Sequence, residues 1–573
     1  MPGRRSNTQG DILTLRNARD AAIAASPRLA PLVAALALAL PGGLMAMELD
    51  TGNADVQIRF DNTLRANYGV RVESRDSKIG NSVLADEGDY RFDKGDSVAK
   101  RVDWLSEFDL VYKKRYGLRV SGAAWYDFAY DSGTSRSNPN APLVNIPSYV
   151  GNQYSSTVKR LYRDGAEVLD AFIFGGVDLG AVPVQAKLGR HTIYWGESLL
   201  LGGHMHSVSY AQAPLDLQKG FATPGTEVKE LFRPLNQLSM QAQVTDTLSL
   251  AGQYLLEWES ARYPEGGTYY GPVDFVFNGP DRQFLNPALG FASRGPAAEP
   301  SQHGEFGLTA RWSPAWLDGS MGFYYRNFAD KLPQVLLTRA GPGVSQYNMI
   351  YADNIQLFGA SIAKNIAGVS TSAEISYRKN TPLNAQVLGV AIGLPGQGDT
   401  KGPRGDTLHG LANAIGTIAK TPLFDAATWA AELAWSHLVS VKSGANLFNG
   451  VGYAFCAGKD KWDGCSPRNY VGIGASFNPT WFQVFPGVDL SAPVTYAIGV
   501  SGNAATTFGG NQGLGNYSFG VGADVLQKYR FDLKYIDWLG RYRDNGTVVT
   551  STNGLTTFLR DRGAVTLTFK TTF

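Results

Sequence analysis

Side chains that could bind a small molecule concentrate in the stretch 195–234, which has no clean helical or strand period. The stretch mixes small and apolar residues with acids, bases and two histidines. It is too long for a turn, so it is either an ordinary outer loop or a segment packed inside the fold. Its composition favours the inward position. The candidate binding or constriction residues are Trp195, Glu197, His204, Asp216, Glu227 and Glu230.

Catalytic and metal-binding patterns are weak. His204 and His206 could share one face of a strand as two metal ligands would, but no third ligand is near, which favours a hydrogen-bonded polar pair. Ser361 and Lys364 match the S-x-x-K motif of acyl enzymes, yet on a strand they point to opposite faces. The sequence contains no P-loop, H-E-x-x-H, G-x-S-x-G or dinucleotide fingerprint. We predict no enzyme activity, no metal and no cofactor.

Cys456 and Cys465 are the two cysteines of the chain, and they flank a short polar stretch. In an oxidising compartment such a pair forms a local disulfide, whereas a metal site would need further Cys or His nearby. We predict a Cys456–Cys465 disulfide.

The element that must position these residues is a long strand with two different faces. In 56–73, apolar side chains occupy nearly all even positions, and polar ones, among them Arg59, Arg65 and Arg71, occupy the odd positions. A slip of one residue would turn these arginines towards lipid, at about 2–4 kcal/mol each near the bilayer midplane. The pattern predicts the wall of a membrane barrel around a polar lumen.

The same rhythm recurs along the chain, with short connections alternating with long ones, as in outer-membrane barrels. We predict an all-β, transmembrane, antiparallel up-and-down β-barrel of about 18 strands. The segments 183–191 and 493–501 are the weakest of these strands, so counts of 16 or 14 stay open. The predicted strands are 56–72, 102–113, 116–130, 165–178, 183–191, 236–244, 248–258, 304–312, 319–328, 354–364, 369–378, 406–418, 428–440, 470–477, 493–501, 516–526, 529–539 and 561–573.

The two ends of the sequence resemble export signals. Residues 1–46 combine a basic region, an apolar run too short to span a bilayer and a small-residue stretch, which predicts a signal peptide. Residues 561–573 alternate in polarity up to Phe573, and this pattern resembles the sorting signal read by the barrel-assembly machinery. We expect residues 47–573 to fold among the lipids of the outer membrane of a Gram-negative bacterium.

Composition agrees with this expectation. The 573 residues include 66 Gly, 27 Tyr, 28 Phe and 11 Trp, which suits turns, bulges and aromatic girdles. The formal net charge is only +2, without the basic stripe that nucleic-acid binding requires. We predict no nucleic-acid partner.

Charged residues on the predicted inner face carry both signs in similar number. A porin that selects ions of one sign would show a ring of the opposite sign. Balanced charge indicates ion pairs that brace the strands or anchor an internal segment, which agrees with a constriction or plug formed by 195–234. The main inward charges are Arg59, Arg65, Glu374, Arg378 and Glu432.

Several stretches together resemble one known family: DNTLRANYGVRVE, KLGRHTIYWGES, PGTEVKELFRP, FGASIAKNIAGVSTSAEISYRKNTPL, the cysteine loop and PGVDLSAPVTYAIGV. This is the Gram-negative outer-membrane barrel family catalogued as domain of unknown function 1302. The resemblance implies an outer-membrane protein often encoded beside a lipoprotein-like partner and an RND-type transporter, in clusters that handle steroids, aromatics or other hydrophobic compounds. It implies no catalytic residues.

These observations predict an outer-membrane channel for a hydrophobic or amphipathic small molecule that is steroid-, aromatic- or lipid-like. The solute would pass a constriction in 195–234 and reach a periplasmic or lipoprotein partner and an inner-membrane RND-type transporter. Three alternatives stay open: a general polar-solute porin, an outer-membrane component of an RND-type system, and an outer-membrane hydrolase.

Overall fold

Strands with one apolar and one polar face form a closed ring in the computed structural model, which describes residues 47–142, 146–223, 226, 228–286, 290–341, 344–385, 390–391 and 402–573. The ring contains 18 strands. In chain order they are β1 (Val56–Arg71), β2 (Ser97–Tyr112), β3 (Tyr116–Asp127), β4 (Asp164–Leu179), β5 (Val182–His191), β6 (Leu235–Gln243), β7 (Leu248–Leu255), β8 (Phe306–Trp312), β9 (Gly319–Phe328), β10 (Ile355–Ile366), β11 (Val369–Pro382), β12 (Arg404–Ile418), β13 (Ala426–Ser443), β14 (Asn469–Phe485), β15 (Val488–Ser491 and Val494–Ser501), β16 (Gly515–Val525), β17 (Tyr529–Leu539) and β18 (Ala564–Thr572).

Each strand pairs antiparallel with its neighbours in the sequence, and β18 closes the ring on β1, from Thr63 opposite Thr572 to Arg71 opposite Ala564. Closure satisfies every strand edge, as a wall in lipid requires. The prediction of eighteen strands is confirmed, including the two weak segments, which are β5 and the second half of β15. Pro493 interrupts β15 because proline has no N–H to donate, but its carbonyl still accepts from Gly520 N at 3.1 Å.

Several predicted strand ends differ from the structure by three residues or more. The strand predicted to start at 102 starts at Ser97, and those predicted to end at 258, 378, 440 and 477 end at Leu255, Pro382, Ser443 and Phe485. Two further ends are wrong by three residues for local reasons. The third predicted strand stops at Asp127 instead of residue 130, because the Asp127 carboxylate accepts from Ala129 N (2.9 Å) and starts a 3-10 turn, Phe128–Tyr130. The last strand starts at Ala564 instead of residue 561, because Asp561 and Arg562 belong to a buried network beyond the strand.

The two faces of the wall have inverted polarity compared with a water-soluble protein. Large apolar side chains are exposed on the outside, for example Ile173 (58 %) and Leu308 (57 %), whereas Arg378 on the inside is fully buried. Trp312 and Trp316 lie beside the short turn 313–318, where an aromatic girdle meets the interface. The wall is therefore built for lipid outside and polar contacts inside.

Short helices and strands lie between the strands of the ring in the sequence. The helices are α1 (Ser77–Gly80), α2 (Asp86–Arg91), α3 (Ser156–Val158), α4 (Leu201–His204), α5 (Leu217–Ala222) and α6 (Val228–Leu231). A five-stranded sheet combines Arg282–Asn286, Gly290–Arg294, Gln334–Gly341, Val344–Ile350 and Val390–Ala391, and a two-stranded sheet joins Tyr542–Asp544 to Val549–Thr552. Met47–Leu49 pairs with β1 beside residues 58–60. None of the described helices is long and apolar enough to cross a membrane.

Long loops cover the end of the barrel opposite the short turns. We call loops 72–96, 128–163, 256–305 and 540–563 the cap. The buried Arg562 guanidinium donates to Ala85 O (3.1 Å), Tyr269 O (2.7 Å) and Gly271 O (2.9 Å), which joins three of these loops. The Tyr149 hydroxyl donates to Gly266 O at 2.6 Å and joins the fourth.

The loop 444–468 contains the predicted disulfide. Cys456 and Cys465 are bonded, with an S–S distance of 2.04 Å and a Cα–Cα distance of 6.0 Å. The prediction of this disulfide is confirmed.

The polarity of the wall can be tested at two adjacent residues of β8. We expect Leu308→Arg, which places a cation in lipid, to lower the free energy of unfolding by about 2–4 kcal/mol. Thr309→Arg is the matched control because Thr309 faces the polar lumen, and it should cost much less. Both can be measured by denaturant titration of the barrel in detergent or lipid. Equal losses for the two variants would contradict the assignment of faces.

Candidate functional site

The loop between β5 and β6, which we call the inner segment (192–234), crosses the lumen. It is tied to opposite walls: Lys219 lies 3.6 Å from Glu167 on β4, and Leu200 N donates to Glu432 on β13 at 3.0 Å. Strands nine places apart in a ring of 18 face each other across the barrel. The inner segment therefore divides the lumen rather than lying outside it.

Two wall carboxylates hold backbone N–H groups of the inner segment. Glu432 accepts from Leu199 N (2.7 Å) and Leu200 N (3.0 Å). Glu374 on β11 accepts from Val208 N at 2.9 Å and also from Glu197 N. An irregular segment away from water must find partners for its backbone, and these two carboxyl groups supply acceptors for it.

Two wall guanidiniums hold carbonyl groups of the same stretch. Arg326 on β9 donates to Val208 O (2.9 Å) and Tyr210 O (2.7 Å). Arg378 on β11 donates to Ser207 O (2.8 Å) and Met205 O (3.2 Å). The acids thus bind backbone N–H groups of this stretch, and the arginines bind its backbone C=O groups. This explains why the lumen contains charges of both signs in similar number.

The last two residues predicted to face the lumen, Arg65 and Arg59, have different surroundings. Arg65 forms a two-bond pair with Glu230 of the inner segment, at 3.0 Å for each nitrogen–oxygen distance. Arg59 is instead largely exposed near the short-turn end and pairs with Asp61 at 2.6 Å.

His206 joins three parts of the molecule. Its Nδ1 lies 3.0 Å from Nδ1 of His409 on β12, and its Nε2 lies 2.8 Å from Gly509 O of loop 502–514. Since a carbonyl only accepts, His206 Nε2 carries a proton, and one of the two Nδ1 atoms donates to the other. His204 and His206 do not converge on one point: His204 Nδ1 lies 3.1 Å from Ser209 Oγ.

The residues predicted from the sequence to form a binding site or constriction lie at different places along the inner segment. Trp195 N donates to Gln212 Oε1 at 2.9 Å, and its ring lies 6.5 Å from that of Tyr324. Glu197 lies beside Ser361 on β10, with 3.4 Å between Oε1 and Oγ.

Three further predicted residues fix the geometry of the segment. His204 is buried beside Tyr194 and Phe232, with ring centroids 6.1 and 5.2 Å away. Asp216 caps α5 through Lys219 N (2.9 Å) and accepts from Arg262 (2.9 Å). Glu230 is the partner of Arg65 described above, and Glu227 lies outside the described residues.

Several residues that hold the segment are not among the predicted set. Arg326, His409 and Asn413 all contact it, the last through Asn413 Nδ2 and Glu197 O at 2.6 Å. Their signal was present in the sequence, because each is a polar residue at an inward position of an alternating strand.

Ser361 and Lys364 have separate surroundings. Ser361 Oγ lies 3.0 Å from the Tyr324 hydroxyl, whereas Lys364 Nζ donates to Leu317 O at 2.7 Å. The S-x-x-K match therefore assembles no nucleophile–base pair. Among the described residues, no three His, Cys, Asp or Glu side chains are arranged to hold a metal ion.

A cavity of about 620 Å³ lies between the inner segment and strands β2–β5. The segment contributes an apolar surface, including Leu199, Leu215 and Phe232. The wall contributes polar and charged groups, including Arg119 and Lys187. Such a space suits a molecule with an apolar body and a polar end.

Two further cavities adjoin this one. A cavity of about 370 Å³ shares Lys187, Thr192 and Tyr194 with it and reaches residues beside the short turns, such as Arg311. A cavity of about 440 Å³ lies against β13–β17 and reaches the long loops at Asn511. Together the three spaces extend from the loop end of the barrel to the turn end.

Acidic side chains are buried in the cap above these spaces. Glu87 Oε1 accepts from Ser148 N at 2.5 Å, and Asp274 Oδ2 accepts from Glu87 N at 3.2 Å. Burial raises the pKa of Glu87 to about 7, helped by the neighbouring Asp86. Burial, with the nearby charges of Glu87 and Asp86, also raises the pKa of Asp274 well above its ordinary value.

The closed ring, its apolar outer face and its polar, occupied lumen define a transmembrane β-barrel of the bacterial outer membrane. The chain belongs to the family described as protein of unknown function (DUF1302), whose model matches residues 28–573. No curated protein matches the chain.

Several solved structures are similar to this chain although their sequence identity to it is low. OccAB4 of Acinetobacter baumannii is 9% identical, with a TM-score of 0.39, and the match covers 90% of this chain and 98% of that one. OpdK of Pseudomonas aeruginosa with vanillate is 10% identical, with a TM-score of 0.40 and coverages of 90% and 98%. OccD3 (OpdP) of the same organism is 9% identical, with a TM-score of 0.39 and coverages of 90% and 91%.

The anchoring role of Glu432 gives a stability prediction. Glu432→Ala leaves two backbone N–H groups without their acceptor, and each such loss costs about 1–3 kcal/mol. We expect a lower free energy of unfolding and faster deuterium exchange at the amides of Leu199 and Leu200. Asp532→Ala is the control, because Asp532 is a wall carboxylate whose partner is Arg530 at 2.8 Å. If that control accelerates exchange at these two amides as much as Glu432→Ala does, the anchoring role is refuted.

The buried acid in the cap gives a pH prediction. Because the pKa of Glu87 rises from 4.5 to about 7 on folding, the folded cap keeps a proton that the unfolded chain releases. The resulting stability is fully present below pH 4.5 and is lost as the pH rises through 7. We expect the detergent-solubilised barrel to melt at a lower temperature at pH 8 than at pH 5, with a difference in stability on the order of 2 kcal/mol.

The matched variants separate this effect from general charge effects. Glu87→Gln should flatten the dependence of the melting temperature on pH, whereas Asp246→Asn on an exposed turn should leave it unchanged. An unaltered slope in Glu87→Gln would show that another group titrates.

Proposed function

We propose that this protein is an outer-membrane channel that passes small hydrophobic or amphipathic molecules, of steroid-, aromatic- or lipid-like character. The observation that supports it best is the 620 Å³ cavity, which has one apolar and one charged side. Ligand sites of this size hold one small molecule with a largely apolar surface and a few polar anchors.

Apolar side chains of the inner segment line the interior of the 620 Å³ cavity. Leu199 is 41 % exposed, although it lies inside the barrel wall, where leucine gains nothing from contact with water. An apolar solute would cover this surface. The polar end of the solute has a natural partner in Lys187, whose ammonium lies 5.3 Å from the Phe172 ring centre at the cavity wall.

Transport through such a barrel is passive. The cap would capture the solute, the three cavities would hold it in turn, and a periplasmic or lipoprotein partner would receive it at the turn end. An inner-membrane RND-type transporter is the further partner that we propose, on the basis of the family resemblance. In this scheme the residues of the inner segment, among them Trp195, Glu197, His204, Asp216, Glu227 and Glu230, form the constriction or hold it in place.

A general polar-solute porin is the second candidate. It is favoured by the polar lining of the 370 Å³ cavity, which includes Gln185, Gln241 and Arg311. A polar porin should conduct ions steadily in a planar bilayer, whereas a channel for hydrophobic solutes with a filled lumen should conduct very little.

Direct uptake measurement tests the proposal. A deletion strain should lose uptake of radiolabelled hydrophobic compounds, surveyed over steroids, aromatic acids and fatty acids, and the wild-type gene should restore it. Unchanged uptake of every compound in the deletion strain would contradict the proposal. Co-purification with an inner-membrane transporter, without any uptake, would instead favour a role as a component of a trans-envelope complex.

One cavity residue provides a binding prediction. Leu199→Ser removes apolar surface that the solute would cover, and we expect about tenfold weaker binding of the transported compound. Binding can be followed by intrinsic tryptophan fluorescence of the purified barrel. Leu423→Ser, on the exposed turn 419–425, is the control and should bind like the wild type. Equal affinity in Leu199→Ser and the wild type would place the solute elsewhere.

A further inference from the structure

The cavities on the two sides of the inner segment meet at two leucines. Leu200 and Leu217 line both the 440 Å³ cavity towards β13–β17 and the 620 Å³ cavity towards β2–β5. The other residues that line the two cavities differ. A solute that moves from one space to the other must therefore pass these two side chains.

Leu200 is held at its backbone and extends towards the wall. Its N–H donates to Glu432 at 3.0 Å. Its Cδ1 lies 2.7 Å from the position that a Cβ on Gly474 of β14 would occupy. Only glycine at position 474 lets the leucine approach β14 this closely, so the side chain spans the gap between the segment and the wall.

Leu217 is fixed at the start of α5. Its N–H donates to Arg262 O at 2.8 Å, and the preceding Asp216 caps the helix through Lys219 N at 2.9 Å. The side chain is 4 % exposed. The Arg262 carbonyl and the Asp216 cap thus set the position of an apolar side chain.

The wall opposite these leucines includes several small residues among larger ones. The 440 Å³ cavity is bounded by Gly472, Gly474, Thr495 and Ser518 on β14–β16. Small residues leave room for a bulky solute beside the segment. A leucine side chain can change rotamer without movement of the anchored backbone.

We propose that Leu200 and Leu217 form an apolar gate between the two cavities, which lets an apolar solute pass and keeps water and ions out. An ion loses its hydration shell in such a constriction without gaining a partner, whereas an apolar molecule exchanges one apolar contact for another. The gate rests on the proposed channel function and names the residues that select the solute class.

Conductance in planar bilayers tests the gate independently of uptake. The wild type should be nearly silent, and Leu200→Ala should raise the ion conductance severalfold because it widens and wets the constriction. Leu411→Ala is the matched control: this buried leucine of β12 lines neither the 620 Å³ nor the 440 Å³ cavity, so its conductance should stay at the wild-type level. Leu200→Met, which keeps the apolar volume, should also stay silent.

The outcomes separate the gate from the channel. If Leu200→Ala, shown to be folded by its heat-modifiable migration, conducts no more than Leu411→Ala, the gate is refuted even when hydrophobic uptake is intact. A wild-type protein that conducts as freely as an open porin also refutes it. Loss of the proposed function would appear differently, as an absence of hydrophobic uptake through the wild type. A leak in Leu200→Ala with retained hydrophobic uptake supports the gate.

Discussion

The constraint on which the rest of this barrel depends is the need to satisfy the backbone of an irregular segment placed inside a membrane wall. The inner segment has little regular structure of its own, so most of its N–H and C=O groups need partners elsewhere. Glu374 and Glu432 supply acceptors, and Arg326 and Arg378 supply donors. The charged groups of the wall in turn escape the cost of isolated burial because backbone dipoles surround them. Wall and segment therefore stabilise each other.

The fold could be predicted from the sequence because a barrel in lipid imposes a strict period of two on every strand. The alternation in 56–73 alone predicts which residues of β1 face lipid, and short turns between such strands predict antiparallel neighbours. Strand ends were less predictable. Asp127 starts a 3-10 turn and Asp561 joins a buried network, and both depend on contacts with distant parts of the chain that periodicity does not encode.

The candidate site was only partly predictable, for a physical reason. Charged residues and histidines are the first candidates for a binding site in a sequence. In this lumen, however, they largely fix the position of the inner segment: Asp216 caps a helix, and Glu230 pairs with Arg65. The residues that line the proposed route are ordinary leucines of an aperiodic stretch, and Leu200 differs from Leu199 only by the direction of its side chain. That direction follows from the hydrogen bonds to Glu432 and from the glycine at position 474, which are far apart in the sequence.

If the proposed gate selects the solute, anchoring and selection are carried by different chemical groups in the same few residues. Backbone atoms of Leu199 and Leu200 bind a wall carboxylate, while their side chains face the cavities. This separation lets the side chains vary without loss of the anchors, because a substitution at position 199 or 200 keeps the N–H that Glu432 binds. Barrels with the same wall charges could thus hold a similar segment and yet pass different solutes, with the selection set by which apolar side chains close the gap to β14.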